Sequence, residues 1–316
     1  MGLAPNLTTL SALGALLLLT GVYETLNFIW LYVRPSNLRR YPHATAGKPA
    51  WALVTGASDG IGKAIAFELA SEGFNVLLHG RNSKKLEGVR GKLSQAHPAR
   101  SFRVWIADAS RCHMDTAWLD EATKTIEDIN LTVLVNNAGG NVRPTYGTLE
   151  KYSPQAILDT VHVNAVFPVL LSAAIIPILI KNGPSLIINI CSLSDNGMPL
   201  VSFYGATKAF DRALSQSLWR EMKLEGRDIE VIAHRVGMTT ETQYIQKKTS
   251  MFRPPAMKVA KAVLERTGCG RKLIVPYWGH ALQDVMVKLF PTWIMDKMII
   301  NAMRDLRTEQ DANKVD

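Results

Sequence analysis

The chain has 316 residues, of which 47% are hydrophobic and 20% are charged, and its mean hydropathy is +0.04. This length can bury a sizeable core, and one α/β domain of about 250 residues with extensions is an ordinary outcome. The formal net charge is +9, but no basic stripe with interleaved aromatic residues occurs, which argues against nucleic-acid binding. Phosphate-bearing ligands or anionic headgroups account for such a charge. The 3 cysteines lack metal-ligand spacing and indicate reduced thiols, so no metal site is expected.

An uncharged apolar stretch lies near the start of the sequence. Residues 3–23 carry no charge, and after Glu24 the uncharged stretch continues to Val33. A helix of about 20 apolar residues crosses a bilayer core, so residues 1–34 are predicted to be a membrane anchor. A cleaved signal peptide would need positive charge before the apolar run, and no Lys or Arg precedes position 34.

Basic residues after the predicted span give its orientation. Four of them follow the apolar stretch: Arg34, Arg39, Arg40 and Lys48. Because positive flanks stay in the cytosol, the rest of the chain is expected there and the N-terminus in the lumen. Asn6 then lies in a candidate lumenal glycosylation sequon. Residues 35–49, with prolines, a glycine and basic residues, are predicted to be a polar linker.

Strands and helices alternate after the linker. The predicted strands are 53–55, 74–79, 102–107, 131–135, 186–190, 230–234 and 272–275. The predicted helices are 61–72, 86–95, 119–127, 156–167, 169–181 and 204–223. Strands that are apolar throughout are typical of a parallel sheet covered by helices on both faces. The pattern predicts an α/β, doubly wound Rossmann fold over residues 50–276.

The C-terminal stretch departs from this alternation. Apolar residues at three- and four-residue steps between Trp278 and Ile294, interrupted by Pro291, predict an amphipathic helical extension over residues 277–316. The sequence leaves open what this apolar face contacts. The face could pack on its own domain or on a second copy in a homodimer, lie in the membrane interface, or form a wall for a long apolar substrate.

The strongest local signal is Trp51–Gly62, which reads WALVTGASDGIG. An apolar run ending at Thr55 is followed by Gly56, Gly60 and Gly62, and then by a helical pattern. A strand that turns on glycine into a helix leaves backbone N–H groups unpaired at the positive helix end. This arrangement predicts a pyrophosphate seat and hence a dinucleotide site.

Two further motifs follow in order, Asn136-Asn137-Ala138-Gly139 after an apolar run and Tyr204-Gly205-Ala206-Thr207-Lys208 at a helix start. With the glycine turn, these motifs resemble the short-chain dehydrogenase/reductase family from about residue 51 to about residue 276. The segments WALVTGASDGIGK and YWGHALQD resemble its membrane-bound branch of very-long-chain 3-oxoacyl-CoA reductases and 17β-hydroxysteroid dehydrogenases.

The resemblance implies NADPH-dependent reduction of a ketone to a secondary alcohol at the endoplasmic-reticulum membrane. The leading substrate is a 3-oxoacyl-CoA of fatty-acid elongation, and a steroid or secondary-metabolite ketone is the alternative. A membrane-bound pseudoenzyme that binds a nucleotide or a partner is a further alternative. Two departures from the family pattern support it: a serine loop shortened by one residue, and Val236-Gly237 in place of the usual Pro-Gly.

The catalytic candidates centre on Tyr204 and Lys208, which are four residues apart and share one helix face. A nearby ammonium and an oxidised nicotinamide favour phenolate, so Lys208 is expected to prepare Tyr204 for acid–base work. Tyr204 would then donate a proton to the ketone oxygen. The resemblance further implies that Lys208 binds the nicotinamide ribose and that Asn164 holds a proton-relay water.

The resemblance also implies a serine that donates a hydrogen bond to the substrate carbonyl. The family usually places it one residue further from the tyrosine, where this chain has Cys191. A thiol is a weak donor, so Ser192 is the first choice and Ser194 the second.

Cofactor preference depends on the end of the second predicted strand. Sites for NAD place an acidic residue there to bind the ribose 2′-hydroxyl. This chain has Gly80-Arg81-Asn82 instead, so Arg81 is predicted to pair with a 2′-phosphate, assisted by Ser58. The expected cofactor is therefore NADPH.

The remaining cofactor contacts follow from the resemblance. It implies Asp108 beside the adenine, Asn136 at the adenosine ribose and Thr239 near the nicotinamide carboxamide. The full set of predicted cofactor residues is Gly56, Ser58, Gly60, Ile61, Gly62, Arg81, Asp108, Asn136, Ala138, Tyr204, Lys208, Val236 and Thr239.

Overall fold

A parallel sheet of seven strands forms the centre of the computed structural model, which describes residues 7–112, 116–142, 144–243 and 248–312. The strand order is β3-β2-β1-β4-β5-β6-β7. The strands are β1 (Ala50–Thr55), β2 (Asn75–Gly80), β3 (Phe102–Ile106), β4 (Asn130–Asn136), β5 (Ser185–Ser192), β6 (Ile229–Val236) and β7 (Leu273–Ile274). The predicted doubly wound Rossmann fold is confirmed. The predicted sequon at Asn6 lies outside the described residues.

Helices cover both faces of this sheet. In chain order the helices of the described residues are α1 (Leu7–Val33), α2 (Gly60–Ser71), α3 (Ser83–Ala96), α4 (Ala117–Ile126), α5 (Pro154–Val161), α6 (Phe167–Lys181), α7 (Ser202–Leu224), α8 (Ala256–Glu265), α9 (Trp278–Leu289) and α10 (Thr292–Ala312). Alternate residues of β1 enter different hydrophobic clusters: Ala52 and Val54 on one face, Trp51 and Leu53 on the other. Because both faces are buried, the strand reads as a continuous apolar run.

Two helical regions differ from the prediction. No helix was predicted at α8, yet Val259 and Val263 of this helix are buried in the cluster that also contains Ile65 of α2. The two helices predicted over 156–167 and 169–181 form one run, because a π-helical segment, His162–Val166, joins α5 to α6. A π segment widens the helix by one residue per turn and is common at functional sites.

The N-terminal helix α1 is exposed for most of its length and docks on the domain near its C-terminal end. Among the described residues, two helical runs are long and apolar enough to cross a membrane, Thr8–Val33 and Pro154–Lys181. The second run contributes Phe167 to the core, whereas the first is unburied until Leu31. Tyr32 at the end of α1 donates a hydrogen bond of 2.7 Å from its hydroxyl to the Val275 carbonyl.

Residues 35–49, predicted to be a linker, lie against the amino-terminal ends of β4 and β6. Tyr41 is buried, and its hydroxyl donates to Glu230 Oε2 over 2.5 Å. The side chains of Asn130 and Thr132 donate to the carbonyls of His43 and Tyr41 over 2.9 Å each. The segment therefore holds α1 against the sheet, at the edge opposite the carboxyl ends of the strands.

The C-terminal helix α9 turns its polar side inward. His280 and Asp284 are buried, while Trp278, Leu282 and Met286 remain 47%, 39% and 41% exposed. The apolar stripe recognised in the sequence is thus the outer face of α9. The following helix α10 begins after Pro291, as the sequence indicated.

Candidate functional site

The carboxyl ends of β1 and β4 meet at the point where the strand order reverses. The Thr55 hydroxyl oxygen accepts hydrogen bonds from the backbone N–H groups of Asn137 and Ala138 over 2.9 and 3.0 Å. The Asn137 side-chain amide donates to the Thr55 carbonyl over 2.9 Å. Ligands of open α/β sheets bind in the crevice at this switch point. The glycine turn and the Asn-Asn-Ala-Gly motif are therefore fixed side by side.

The glycine turn between β1 and α2 has the geometry of a phosphate cradle. Gly56 and Gly60 adopt φ angles of +66° and +54°, which residues with a side chain rarely adopt. A Cβ atom at Gly62 would clash with the Asn137 amide and the Gly56 carbonyl. Within the described residues, the Asp59 side chain makes no capping hydrogen bond at the start of α2. The first backbone N–H groups of this helix therefore suit a pyrophosphate.

The end of β2 places the predicted 2′-phosphate residues beside this turn. A Cβ atom added at Gly80 would lie 3.7 Å from Ser58 Oγ, and Arg81 next to it is exposed. After β3, one Asp108 carboxylate oxygen accepts from the backbone N–H and hydroxyl of Ser110 over 3.0 and 2.8 Å. The structure thus brings Ser58 and Arg81 to one rim of the cleft.

The side chain of Asn136 is used inside the fold. Its amide nitrogen donates to Ser172 Oγ over 3.0 Å and to Asn189 Oδ1 over 2.8 Å, and the residue is buried. Both amide hydrogens therefore bridge β4 to α6 and β5. The predicted ribose contact would have to come from the main chain that follows it, including Ala138.

Three elements converge on the Lys208 ammonium. Its Nζ donates to the Ile190 carbonyl over 3.1 Å and to Asp211 Oδ2 over 2.9 Å. A Cβ atom added at Gly139 would lie 3.4 Å from this nitrogen and would clash with Asn164 Oδ1. The Asn-Asn-Ala-Gly motif, the π segment and α7 therefore meet at one point. Tyr204 lies one helical turn before Lys208 and is half-buried.

Asn164 ties the π segment to the loop after β4. Its Oδ1 accepts from the Gly140 N–H over 2.9 Å, and its amide donates to the carbonyls of Gly140 and Thr160 over 2.8 and 2.9 Å. Both amide hydrogens are used by the backbone. A water molecule would therefore have to be held through Oδ1 or through the surrounding carbonyls.

The predicted serine ends β5 and borders the start of α7. Ser192 Oγ accepts from the Ser194 N–H over 3.2 Å and from the Ser194 hydroxyl over 2.9 Å. A Cβ atom at Gly205 would lie 2.8 Å from the Ser194 carbonyl, so this loop packs against the residue next to Tyr204. Cys191 is buried, and burial raises the pKa of its thiol to about 12. Its thiol is kept out of the cleft and uncharged.

Sequence reasoning missed Asp211. Burial alone would lower the pKa of the Lys208 ammonium, but the Asp211 carboxylate, together with Tyr204 and Cys191, more than reverses this, so that pKa lies above its ordinary value. Burial raises the pKa of the Asp211 carboxyl, and the ammonium of Lys208 partly offsets this rise. Lys208 therefore stays charged although it is 5% exposed. The three-residue spacing on one helix was the available signal.

Tyr146 is a second residue that the sequence did not indicate. Its loop packs on the start of α7, since the Gly147 N–H donates to the Leu200 carbonyl over 3.1 Å. Gln310 of α10 accepts from the Tyr146 N–H over 2.9 Å and donates to its carbonyl over 3.1 Å. Burial and the neighbouring Tyr204 phenol raise the pKa of Tyr146. The end of α10 thus reaches the rim of the site, from a position too distant in sequence for any local pattern.

The turn after β6 closes the other side of the cleft. Val236 and Thr239 are buried, and the Thr239 hydroxyl donates to the Gly237 carbonyl over 3.1 Å. A Cβ atom at Gly60 would lie 3.1 Å from Thr242 Cγ2, so the chain beyond this turn reaches the glycine turn. Among the described residues, no cluster of potential metal ligands was found.

The sequence profile of short chain dehydrogenases matches residues 50–252. The chain belongs to this family. A very-long-chain 3-oxoacyl-CoA reductase of Coprinopsis cinerea is 33% identical and aligns over 89% of this chain and 84% of its own length. Hydroxysteroid dehydrogenase-like protein 1 of Gallus gallus is 29% identical over 87% of this chain and 82% of its own. The crystal structure of a short-chain dehydrogenase from Sphingobium yanoikuyae in complex with NADPH aligns with a TM-score of 0.63 and 25% identity, over 78% of this chain and 95% of that one.

Proposed function

We propose that this short-chain dehydrogenase reduces a ketone to a secondary alcohol with NADPH. The observation that carries the proposal is the convergence of Tyr204, Lys208 and the Ser192 loop at the edge of the sheet that holds the glycine turn. Tyr204 would donate its proton to the ketone oxygen, to which the Ser192 hydroxyl would donate a hydrogen bond. Lys208, kept charged by Asp211, would favour the phenolate that results. The cofactor supplies the hydride when it is bound.

The proposed cofactor residues fit a phosphorylated dinucleotide. Gly56, Gly60 and the first turn of α2 would hold the pyrophosphate, and Lys208 would hold the nicotinamide ribose. Arg81 and Ser58 would hold a 2′-phosphate, in a chain that has no carboxylate at the end of β2. The likeness to a family member crystallised with NADPH supports this preference.

Cofactor preference is tested by titrating NADPH and NADH against the wild type and Arg81→Ala. Loss of a charge-assisted phosphate contact should cost about 1.5–3 kcal/mol in NADPH binding and little in NADH binding. Lys84→Ala, which removes another exposed cation nearby, serves as the control. Equal losses for both cofactors would show that Arg81 does not recognise the phosphate.

The substrate class that we propose is a long 3-oxoacyl-CoA, because the similar protein from Coprinopsis cinerea carries that activity in its name. A steroid ketone is the second candidate, favoured by the likeness to the hydroxysteroid dehydrogenase-like protein. A product assay with NADPH and a panel of 3-oxoacyl-CoAs and ketosteroids separates the two. NADPH binding without turnover of any of these ketones would favour a pseudoenzyme.

We propose that residues 1–34 anchor the enzyme in the endoplasmic-reticulum membrane and that the domain from residue 50 onward faces the cytosol. The exposed apolar length of α1 and the basic residues after it support this topology. The outer face of α9 would rest in the same interface. Helix α9 begins at Trp278, three residues after Val275. Tyr32 of α1 contacts Val275, so α9 begins close to the end of the proposed anchor. Protease treatment of sealed microsomes should digest the domain, and full protection would contradict the orientation.

A further inference from the structure

The inner face of α9 carries two buried polar side chains, His280 and Asp284, one helical turn apart. Burying polar groups is costly unless they find partners. Both find them in the same short stretch of chain, the end of β6 and the turn that follows it, residues 235–238. The YWGHALQD segment singled out in the sequence thus meets the cleft through its polar residues.

His280 is bonded to the turn through both ring nitrogens. Its Nδ1 accepts from the Gly237 N–H over 3.1 Å, and its Nε2 lies 3.2 Å from the Met238 carbonyl. Since Nδ1 accepts, Nε2 carries the hydrogen and donates, so the ring is in one neutral tautomer. Burial lowers the pKa of His280 to about 4, which keeps this tautomer at neutral pH.

Two glycines allow the start of α9 to pack closely on its neighbours. A Cβ atom at Gly237 would lie 2.7 Å from His280 Cδ2, and a Cβ atom at Gly279 would lie 2.5 Å from the Met251 carbonyl. The first methyl group would displace the ring or the turn, and the second would displace α9 from the segment that contains Met251. The close approach of the His280 ring to the turn therefore depends on glycine at position 237.

Arg235, the residue before the turn, provides a second attachment between β6 and α9. It donates to Asp195 through Nε and Nη2, over 2.6 to 3.1 Å, and through Nη1 to Asp284 over 2.7 Å. Asp195 lies three residues after Ser192. One buried guanidinium therefore joins the serine loop, β6 and α9.

The turn begins at Val236, where no proline ring fixes the backbone φ angle. We propose that His280 is a positioning residue that holds the turn from Val236 to Thr239 in the conformation that seats a nicotinamide ring, with the Arg235–Asp284 contact as its second support. This inference rests on the proposed function, since it assumes that the turn faces the cofactor.

The test uses the full-length enzyme and a matched set of variants on α9. His280→Leu removes both ring nitrogens, whereas His280→Asn keeps an acceptor for the Gly237 N–H. Leu282→Ala alters the exposed face of the same helix and is the control. The measurements are the affinities for NADPH and for 2′,5′-ADP and the primary deuterium isotope effect on ketone reduction. The nucleotide 2′,5′-ADP carries the adenosine half alone and cannot touch the turn.

We expect His280→Leu to weaken NADPH binding about tenfold or more and to raise the isotope effect, because the nicotinamide is no longer held for transfer. Its affinity for 2′,5′-ADP should be unchanged. General unfolding would weaken the binding of both nucleotides, so it would not produce this difference. His280→Asn should recover most of the NADPH affinity, and Leu282→Ala should match the wild type. Wild-type NADPH affinity and isotope effect in a His280→Leu variant that binds 2′,5′-ADP would overturn the inference.

A second pair keeps the inference testable if His280→Leu fails to fold. His280→Gln reaches the Met238 carbonyl but not the Gly237 N–H, so it should bind NADPH more weakly than His280→Asn does. Equal NADPH affinities in these two variants would contradict the proposed role. A wild-type enzyme that binds neither NADPH nor 2′,5′-ADP would instead refute the proposed function, and this inference with it.

Discussion

Two groups of buried charges flank the candidate site, and they are built differently. Lys208 and Asp211 lie three residues apart on α7 and pair over 2.9 Å. Arg235 draws its partners Asp195 and Asp284 from two other elements, over 2.6 and 2.7 Å. The first pair belongs to one helix and sits beside Tyr204. The second group joins three parts of the chain and sits behind the turn after β6.

This difference implies different roles for the two groups. A carboxylate beside a buried ammonium keeps that ammonium charged, so the Lys208–Asp211 pair should act on the protonation chemistry of Tyr204. A guanidinium shared by distant segments fixes their relative positions, so the Arg235 group should act on folding and on the shape of the cleft. Variants that separate an effect on stability from an effect on a pH profile distinguish these two roles.

The largest expected effect is on stability, in Arg235→Met. Removing the guanidinium leaves Asp195 with Arg212 at 3.4 Å and Asp284 with Lys288 at 2.6 Å, so the loss should lie at the lower end of the about 3–5 kcal/mol that breaking a buried ion pair typically costs. The free energy of unfolding, measured by denaturant titration in detergent, should fall by that amount. Arg40→Met is the control, because the Arg40–Asp228 pair is exposed and should contribute about 0–1 kcal/mol. Similar losses of unfolding free energy in both variants would show that the buried group contributes no more to stability than the exposed pair.

The second prediction concerns Asp211→Asn and a pH profile. Without the carboxylate, burial should bring the pKa of Lys208 down towards the assay range. The variant should then lose kcat/KM as the pH rises, about tenfold per pH unit above that pKa, while the wild type holds its activity there. Glu221→Gln, on the exposed side of the same helix, should leave the profile unchanged. A wild-type profile in Asp211→Asn would mean that the pair does not govern the charge of Lys208.

Contacts between residues close in sequence could be predicted better than contacts between residues far apart in sequence. The glycine turn, the Asn-Asn-Ala-Gly motif and the Tyr204–Lys208 spacing are short patterns, so the fold and one edge of the cleft could be predicted from them. The partners of Arg235 come from loops and helices 40 and 49 residues away, and Gln310 reaches Tyr146 from 164 residues away. Such contacts leave no periodic signal.

Helix α9 illustrates alternatives that the sequence left open. Its apolar stripe was compatible with packing on the domain or on a second copy, with a membrane interface and with a substrate wall. The structure turns the polar side inward, because His280 and Asp284 have partners in β6 and the following turn. A hydrophobic pattern shows which residues share a face and not what covers that face. The helix α8 was missed although its apolar residues share one face; three of its six buried residues are alanines, and the helix follows a Pro-Pro pair.

The third prediction is a loss of stability in mild acid. Burial lowers the pKa values of His79, His234 and His280 to about 3, 3 and 4, below the 6.5 of an exposed histidine. Between pH 6.5 and 4 the unfolded chain therefore binds more protons than the folded chain, and stability falls as the pH falls. Each buried histidine should contribute about 1.4 kcal/mol per pH unit in that window. Unfolding of His280→Asn near pH 5 should show a slope smaller by about this amount, and an unchanged slope would contradict the burial argument.

The smallest expected effect is in Ser194→Ala. This change removes one hydroxyl that donates to Ser192 Oγ over 2.9 Å, but it keeps the backbone N–H that donates to the same oxygen over 3.2 Å. Turnover should fall only a few-fold, which corresponds to a rise of about 0.5–1.5 kcal/mol in the activation barrier. Ser192→Ala should lose more, and Cys191→Ala, in the core behind the cleft, should change turnover little. A collapse confined to Ser194→Ala would make Ser194 the serine of the site.

The turnover of Tyr204→Phe tests the proposed proton transfer to the ketone. Phenylalanine keeps the ring packing on α7 and removes the hydroxyl that would donate a proton to the ketone. The enzyme should still bind NADPH, while its turnover of a long-chain 3-oxoacyl-CoA should fall about 100-fold or more. Near-normal ketone reduction by Tyr204→Phe with bound NADPH would contradict the proposed mechanism.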